Sequence, residues 1–376
     1  MITFADRPVT TALSGMVTCP HALASQAGVD VLKAGGSAVD AAIAASSTLA
    51  VIYPHMTGLG GDAFWLIYDA EGPNPSDRVR YLDGGGRAAA SASVQWFHEH
   101  GHTSEIPFRG VLPATLTTPG AVASWVAAHK AYGRLPLKRD LEAATTCARE
   151  GFEVTARLAR WIEATAPELA PHAEKRGDLA CHEAGPRAPA ARSPTPTSRA
   201  RWMRWPMAAT PASTPATWRT RWRASARSTA ASSPPPTWPH KPRAGASRCK
   251  GSYRGVTIYE TPAPTQGFTV LEMLNLLEPL ELHRKARLGP DHVHLMVQAK
   301  QIAYHDRDRH LADPLFADVP TQQLIERLIS KAYADERRAL IDPARALPWD
   351  RVPSHGSLRG DTVFIAAVDA KATPPR

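Results

Sequence analysis

The chain is expected to adopt a mixed α/β (α+β) fold. Three observations predict it: helical and strand patterns alternate over most of the length, a pair of helices near the start runs into a glycine turn and an apolar strand, and 376 residues suffice for one large domain or two. In chain order, Ala22 to Lys33 reads as a first helix, ended by Gly35 and Gly36. Ser37, with Asp40 three residues on, makes a capping-box start for a second helix running to Leu49. Its small residues Ala41, Ala42, Ala44, Ala45 and Ser46 let it lie close against a neighbour. Gly58, Gly60 and Gly61 are expected to form a turn that a side chain could not occupy. Within a strand from Ala63 to Tyr68, the run Phe64 to Tyr68 reads as buried on both faces. Further helices are predicted at Ala121 to Tyr132, Asp140 to Arg149, Thr269 to Glu278, Pro290 to Ala303 and Thr321 to Ile341, and further strands at Gly255 to Glu260 and Thr362 to Val368. There is no internal repeat and no membrane span of about 20 apolar residues. The opening Met1 to Arg7 lacks a charged region followed by an apolar run, so a cytoplasmic protein without a membrane partner is expected.

The middle of the chain departs from this pattern. Residues 185–250 contain no Leu, Ile, Val, Phe or Tyr and no Asp or Glu, yet hold 12 of the 34 prolines and 5 of the 10 tryptophans. Such a segment cannot bury enough aliphatic surface to offset its ordering entropy, and disorder is expected there. Its 11 Arg and 2 Lys contribute +13 against a whole-chain charge of +9, which leaves the remainder at −4. The basic balance therefore belongs to one insert. An Arg/Trp-rich arm of a non-catalytic nucleic-acid-binding protein accounts for the charge and the aromatics, and a Pro-rich linker accounts for the prolines.

Cys19, Cys147, Cys181 and Cys249 show no metal-ligand spacing and read as ordinary thiols. His292 and His294 are two apart and His305 and His310 five apart, neither being the i, i+4 pairing of a helical zinc site. No metal and no cofactor are expected.

The wording of the ordered blocks is more specific than their pattern. Ala24-Ser25-Gln26-Ala27-Gly28, Leu32 to Ala42 and the turn Gly58-Leu59-Gly60-Gly61 closely resemble the opening of the gamma-glutamyltransferase family. These are N-terminal-nucleophile hydrolases that include the gamma-glutamyltranspeptidases, or glutathione hydrolases, and some cephalosporin acylases. Leu82 to Arg87, Thr118-Pro119-Gly120, Tyr253-Arg254-Gly255 with Pro262 to Gly267, Ala303 to Pro314 and Gly360 to Phe364 resemble the same family in the same order. The resemblance implies a four-layer α-β-β-α core. Residues 1–184 and 251–361 would be parts of a large subunit, and 362–376 the start of a small one.

The resemblance also bears on the aberrant segment. Back-translated with suitable synonymous codons and read from each codon's third position, Ser193 to Lys250 yields PDPDLARTLDALADGG, then GFYTGDLADALA, then WGEPLQ, strings similar to what the family carries at this point. After Asp369 the family continues with a D-x-x-G-N-A turn, and deleting one base from codons for DAEGNAAS yields the tail Ala370 to Arg376. The expectation is a frameshifted, truncated copy of a longer proenzyme, with 185–250 out of frame.

Chemistry is expected at Asp361-Thr362. A threonine hydroxyl is a weak nucleophile, but a threonine that begins a chain carries its own base, an α-amino group with a pKa of about 7.7–8.0. The strand Val363 to Val368 would place Thr362 at the first position of a buried strand. Locally this is equally an Asp-Thr turn before an ordinary strand, and the resemblance decides for a cleavage site between Asp361 and Thr362. Arg87, following Gly84-Gly85-Gly86 as a flexible glycine run, is the candidate substrate-binding residue. A guanidinium grips an α-carboxylate in bidentate fashion, the role the family gives this position. Relatives follow it with an acidic residue, whereas Ala88-Ala89-Ala90 follow here. Asp306 and Arg307 match a further block and are expected to form a structural ion pair.

The resemblance thus implies cleavage of a small γ-glutamyl amide such as glutathione through an acyl-enzyme on Thr362, with transfer to water or an amine. A cephalosporin acylase of the glutaryl type is the alternative. The expected partners are that substrate and the subunits of the chain's own precursor, with no nucleic acid. Oxyanion donors lie in the family well beyond Thr362, so the chain is expected to be inactive as written.

Overall fold

The computed structural model describes residues 10–72, 78–89, 92–104, 106, 117–173, 243–244, 248–314, 321–353 and 362–372. Most of 185–250 lies outside the described residues, and so does Asp361. The chain divides into two compact units, one formed by Met1–Ala63, Gly84–Pro242 and Asp361–Arg376, the other by Phe64–Asp83 and Arg243–Gly360.

Strand β1 (Gly15–Thr18) leads into helices α1 (Ala22–Lys33) and α2 (Ala38–Ile52). Strands β2 (Ala63–Tyr68) and β3 (Val79–Gly84) follow. Helices α3 (Val94–Glu99), α4 (Ala121–Tyr132), α5 (Leu137–Asp140), α6 (Glu142–Glu150) and α7 (Ala156–Ala173) belong to the first unit. The second unit then adds β4 (Arg243–Ala244), β5 (Cys249–Tyr253), β6 (Val256–Glu260), α8 (Phe268–Leu277), α9 (Pro290–His310), α10 (Thr321–Leu328) and α11 (Lys331–Arg338). Strand β7 (Ala366–Asp369) returns to the first.

In the first unit, α1 and α2 form as their caps dictate. The Asp40 N–H donates to Ser37 Oγ at 3.1 Å and the Ser37 N–H donates to Asp40 Oδ2 at 2.8 Å, so two end donors are satisfied reciprocally. Gly35, with φ +91°, turns the chain between the helices. Gly28 lets them approach: a Cβ there would stand 2.9 Å from the Ala41 carbonyl oxygen. Ala27, Val31, Ala41, Ala44 and Ala45 form one buried cluster, and Ala24, Leu49, Ile52, Tyr53, Phe152 and Leu158 another. Fully burying a Leu49 or Ile52 side chain contributes about 1.5–3 kcal/mol each. Strand β7 pairs antiparallel with β1, Gly15 opposite Asp369 and Thr18 opposite Ala366.

In the second unit, β2, β3 and β4 form a three-stranded sheet in that order, and β5 and β6 a hairpin. The hairpin turn takes Arg254 at φ 50° and Gly255 at φ 83°, the two positive angles of a type I′ turn. Leu276, Leu277, Leu295, Ala299, Ile302 and Ala334 pack α8, α9 and α11 together. Cys249, Phe268, Leu271, Ile325 and Leu328 pack the hairpin against α8 and α10.

Several expectations are corrected. Strand β2 is not buried on both faces: Phe64, Leu66 and Tyr68 are exposed, alternating with half-buried neighbours, because β2 lies at the edge of its sheet. Gly58 and Gly60 have open space where a side chain would stand. The helix expected from Thr321 to Ile341 is two, because Ser330 accepts the Tyr333 N–H at 3.2 Å and starts a new one. The helix expected from Asp140 begins after a separate short turn of helix, and α9 runs on to His310. Cys249 and Lys250, assigned by composition to the aberrant segment, are strand residues, with Cys249 buried. Asp306 and Arg307 do not pair with each other. Asp306 faces inward and bonds Arg337 at 2.9 and 3.1 Å and the Tyr333 hydroxyl at 2.9 Å, whereas Arg307 bonds Asp308 and Gln266. Among the described residues no helix is long and apolar enough to cross a membrane.

Candidate active site

Three sequence blocks meet around Arg87. Asp62 Oδ1 accepts the Gly86 N–H at 2.8 Å, and Thr117 Oγ1 lies 3.3 Å from both Asp62 oxygens. The Gly61 carbonyl accepts the Gly120 and Ala121 N–H groups at 3.1 and 2.9 Å, which ties the first turn of α4 to the glycine turn before β2. The Thr118 N–H donates to the Arg87 carbonyl at 2.9 Å, and Ala88 pairs with Thr117 as an isolated bridge.

Glycine is required here by close approach. A Cβ on Gly86 would stand 1.7 Å from the Thr118 carbonyl oxygen, and one on Gly120 2.0 Å from that of Gly84. Both distances are far inside van der Waals contact. The Gly84–Gly86 run is therefore a clamped loop and not a flexible one, since its backbone is fixed on both sides. It holds Arg87 with the side chain exposed, and the guanidinium pairs with no carboxylate among the described residues.

Thr362 begins an extended segment of alternating exposure. Val363 and Ile365 pack on the cluster around Leu49, Ile52 and Tyr53, while Thr362 and Phe364 are exposed. The ladder with β1 starts only at Ala366, so Thr362 stands four residues ahead of β7 and not at the first position of a buried strand. The short partner β1 sets that limit. At its far end β7 is anchored by Asp369, whose Oδ2 accepts the Ala38 N–H at 3.1 Å and meets the Arg134 guanidinium at 3.3 Å. Arg87 and Thr362 both belong to the first unit, and no hydrogen bond joins them among the described residues.

Sequence reasoning missed the two residues that fix the Arg87 loop. Asp62 was visible as an acidic residue closing a glycine turn, but its partner Gly86 lies 24 positions away. Thr117, 55 positions away, carried no signal.

Sequence comparison identifies the family of this scaffold. Residues 24–184 and 240–373 match the gamma-glutamyltranspeptidase family, and the chain belongs to that family. The unmatched stretch between these two, 185–239, lies within the Arg/Pro/Trp-rich segment. The glutathione hydrolase-like YwrD proenzyme of Bacillus subtilis is 33% identical over 368 residues, covering 94% of this chain and 64% of the relative. The oxamate amidohydrolase proenzyme of Klebsiella pneumoniae is likewise 33% identical over 368 residues, with the same coverage. The crystal structure of a cephalosporin acylase from Bacillus halodurans superposes with a TM-score of 0.72 at 28% identity, over 97% of this chain and 65% of that one. The fold is that of these N-terminal-nucleophile hydrolases. The chain spans about 64% of the length of the curated relatives it matches.

Proposed function

We propose that this chain carries the nucleophile and the acyl-donor grip of a self-processing amidase acting on γ-glutamyl amides such as glutathione. The observation that carries the reading is Thr362: its side chain is exposed while Val363 and Ile365 hold the segment on a buried cluster. In maturation the Thr362 hydroxyl attacks the Asp361 carbonyl. The C–N bond breaks as a C–O ester forms, and the hydroxyl proton passes to the nitrogen, which becomes the α-amine. Water then hydrolyses the ester, leaving an Asp361 carboxylate and a free Thr362 amine. In turnover that amine, with a pKa of about 7.7–8.0, takes the hydroxyl proton while oxygen attacks the substrate amide. The amine product leaves, and water or a second amine takes the acyl group. Arg87 grips the donor's α-carboxylate through two parallel hydrogen bonds, from a loop whose glycine contacts leave it little freedom.

A second reading keeps the same chemistry with a glutaryl-type donor. Ala88-Ala89-Ala90 support it, because nothing acidic follows Arg87 to hold an α-ammonium group.

The test is a hybrid in which the corresponding segment of the Bacillus subtilis relative replaces residues 185–239 and its C-terminal third follows residue 369, assayed beside the 376-residue chain. The hybrid is expected to yield a fragment whose first residue is Thr362, and Thr362→Ala to abolish both cutting and hydrolysis of a γ-glutamyl anilide. Arg87→Ala should leave cutting intact and raise KM for donors with a free α-carboxylate about 100-fold, or about 2.7 kcal/mol. Hydrolysis that survives Thr362→Ala refutes the nucleophile. Equal KM values for γ-glutamyl and glutaryl anilides favour the acylase reading.

A further inference from the structure

Asp40 of α2, His129 in the last turn of α4 and Asp140 at the end of α5 converge within the first unit. One donor atom from each lies within 4.8 Å of the others. His129 Nε2 is 3.8 Å from Asp40 Oδ1 and 3.8 Å from Asp140 Oδ2. Both carboxylates are fully buried, and the imidazole keeps 21% of its side-chain surface exposed.

The two oxygens of Asp40 have different surroundings. Oδ2 accepts the Ser37 N–H at 2.8 Å, the Ser37 hydroxyl at 3.1 Å and the Arg134 N–H at 2.8 Å. Oδ1 accepts no hydrogen bond from another donor group, and neither does either oxygen of Asp140, although a proton on Asp140 can be shared with Asp40. Three buried carboxylate oxygens thus have at most one shared proton among them beside one imidazole nitrogen. Leaving a carboxylate buried and unpaired costs several kcal/mol, of the order that a cation recovers.

We propose that Asp40, His129 and Asp140 form a structural site for a first-row divalent ion of the zinc type. The spacing fits. An ion equidistant from three donors 3.8 Å apart stands about 2.2 Å from each, and widening one side to 4.8 Å moves it to about 2.4 Å, against about 2.0–2.2 Å for Zn–N and Zn–O bonds. Nε2 now bonds the Leu135 carbonyl oxygen at 2.7 Å, so an ion would take the place of that hydrogen bond. Binding replaces the Nε2 proton, which leaves to solvent, so the imidazole ligates in its neutral form. The nitrogen donor favours a transition ion over Ca²⁺ or Mg²⁺. The ion would tie α2, α4 and α5 together at one point. The same point reaches β7, because the residue whose N–H serves Asp40, Arg134, also holds Asp369 through its guanidinium. This inference does not depend on Thr362.

The experiment uses the 376-residue chain, tag removed and treated with chelator, with folding followed by circular dichroism. Dialysis against Zn²⁺ should leave one ion per chain and raise the melting temperature, and Co²⁺ in its place should show visible d–d bands. Asp140→Asn and His129→Gln should each weaken Zn²⁺ binding at least about 100-fold, whereas exposed His98→Gln should keep it. A folded chain that takes up no stoichiometric Zn²⁺ overturns the site, and so does uptake that survives both substitutions. A tenfold excess of Ca²⁺ that displaces Zn²⁺ overturns the choice of ion.

Discussion

Asp306 and Glu272 in the second unit, and Asp40 and Asp140 in the first, are two pairs of buried acids that differ in what stands opposite them. Asp306 meets a guanidinium through two hydrogen bonds and a phenol through a third. Glu272, fully buried beside it, is pushed up to about 10 by burial first and then by Asp306, so it holds a proton at neutral pH. One acid is charged and answered by a cation, and the other is neutral. In the first unit Asp40 is answered on one oxygen by backbone and hydroxyl donors, while Asp140 has the imidazole of His129 at 3.8 Å and, when protonated, a hydrogen bond with Asp40. Burial, and next the Asp40 carboxylate, push the Asp140 carboxyl up to about 7. A buried acid whose counter-charge is built into the chain is a finished structural element. One without it is a place for something added.

The largest effect should come from removing the built-in cation. Arg337→Met leaves Asp306 charged and buried next to Glu272, and the loss should be about 3–5 kcal/mol by denaturant unfolding. Tyr333→Phe removes one hydrogen bond to the same carboxylate, and about 1.5–3 kcal/mol is expected. If Arg337→Met costs no more than Tyr333→Phe, Asp306 is not held by the guanidinium and the contrast between the units disappears.

What the sequence revealed and what it hid follow the same division. The bounds of α1 and the Ser37–Asp40 box were legible because caps act within one turn, and Ala121 to Tyr132 was legible because its periodicity is local. The partners of Asp306 lie 27 and 31 positions away, so a neighbouring arginine, Arg307, was the nearest candidate in the sequence and the wrong one. The start of β7 was placed too early because a strand is as long as its partner allows, and apolar residues at 363–365 cannot report that β1 spans four residues. The Asp40, His129 and Asp140 cluster was invisible for a related reason: its members come from three helices and match no ligand spacing. The Arg87 block was readable as a motif, but the demand for glycine at 86 and 120 arises only where two backbones touch.

A pH series sharpens the comparison on the second-unit side. Glu272 binds a proton in the folded state up to about 10 and in the unfolded state only up to its ordinary 4.5. Between those values the folded chain holds the extra proton, so stability is highest at the acid end and falls as pH rises. Glu272→Gln keeps the neutral shape and removes that slope. Relative to the variant, the parent chain should lose up to about 1.4 kcal/mol per pH unit between pH 6 and 9. Parallel stability curves would show that Glu272 is ionised in the fold.

The smallest effect is the most discriminating, because its sign is opposite to that of Arg337→Met. In chelator-treated protein, Asp140→Asn replaces a buried acid with an amide whose N–H₂ can donate to Asp40 Oδ1, an oxygen with no donor once Asp140 is ionised. One neutral-to-charged hydrogen bond is gained and one like-charge contact is lost. A stabilisation of about 0.5–1.5 kcal/mol is expected at pH 8, where the Asp140 carboxyl is largely ionised. With Zn²⁺ present the order should reverse, since only the parent chain binds the ion and gains stability in proportion to the logarithm of its concentration. Stability curves that cross between chelator and Zn²⁺ would mark the first-unit pair as open to a ligand. A loss for Asp140→Asn under both conditions would mean that Asp140 already has an internal partner, and the two units would then handle their buried acids alike.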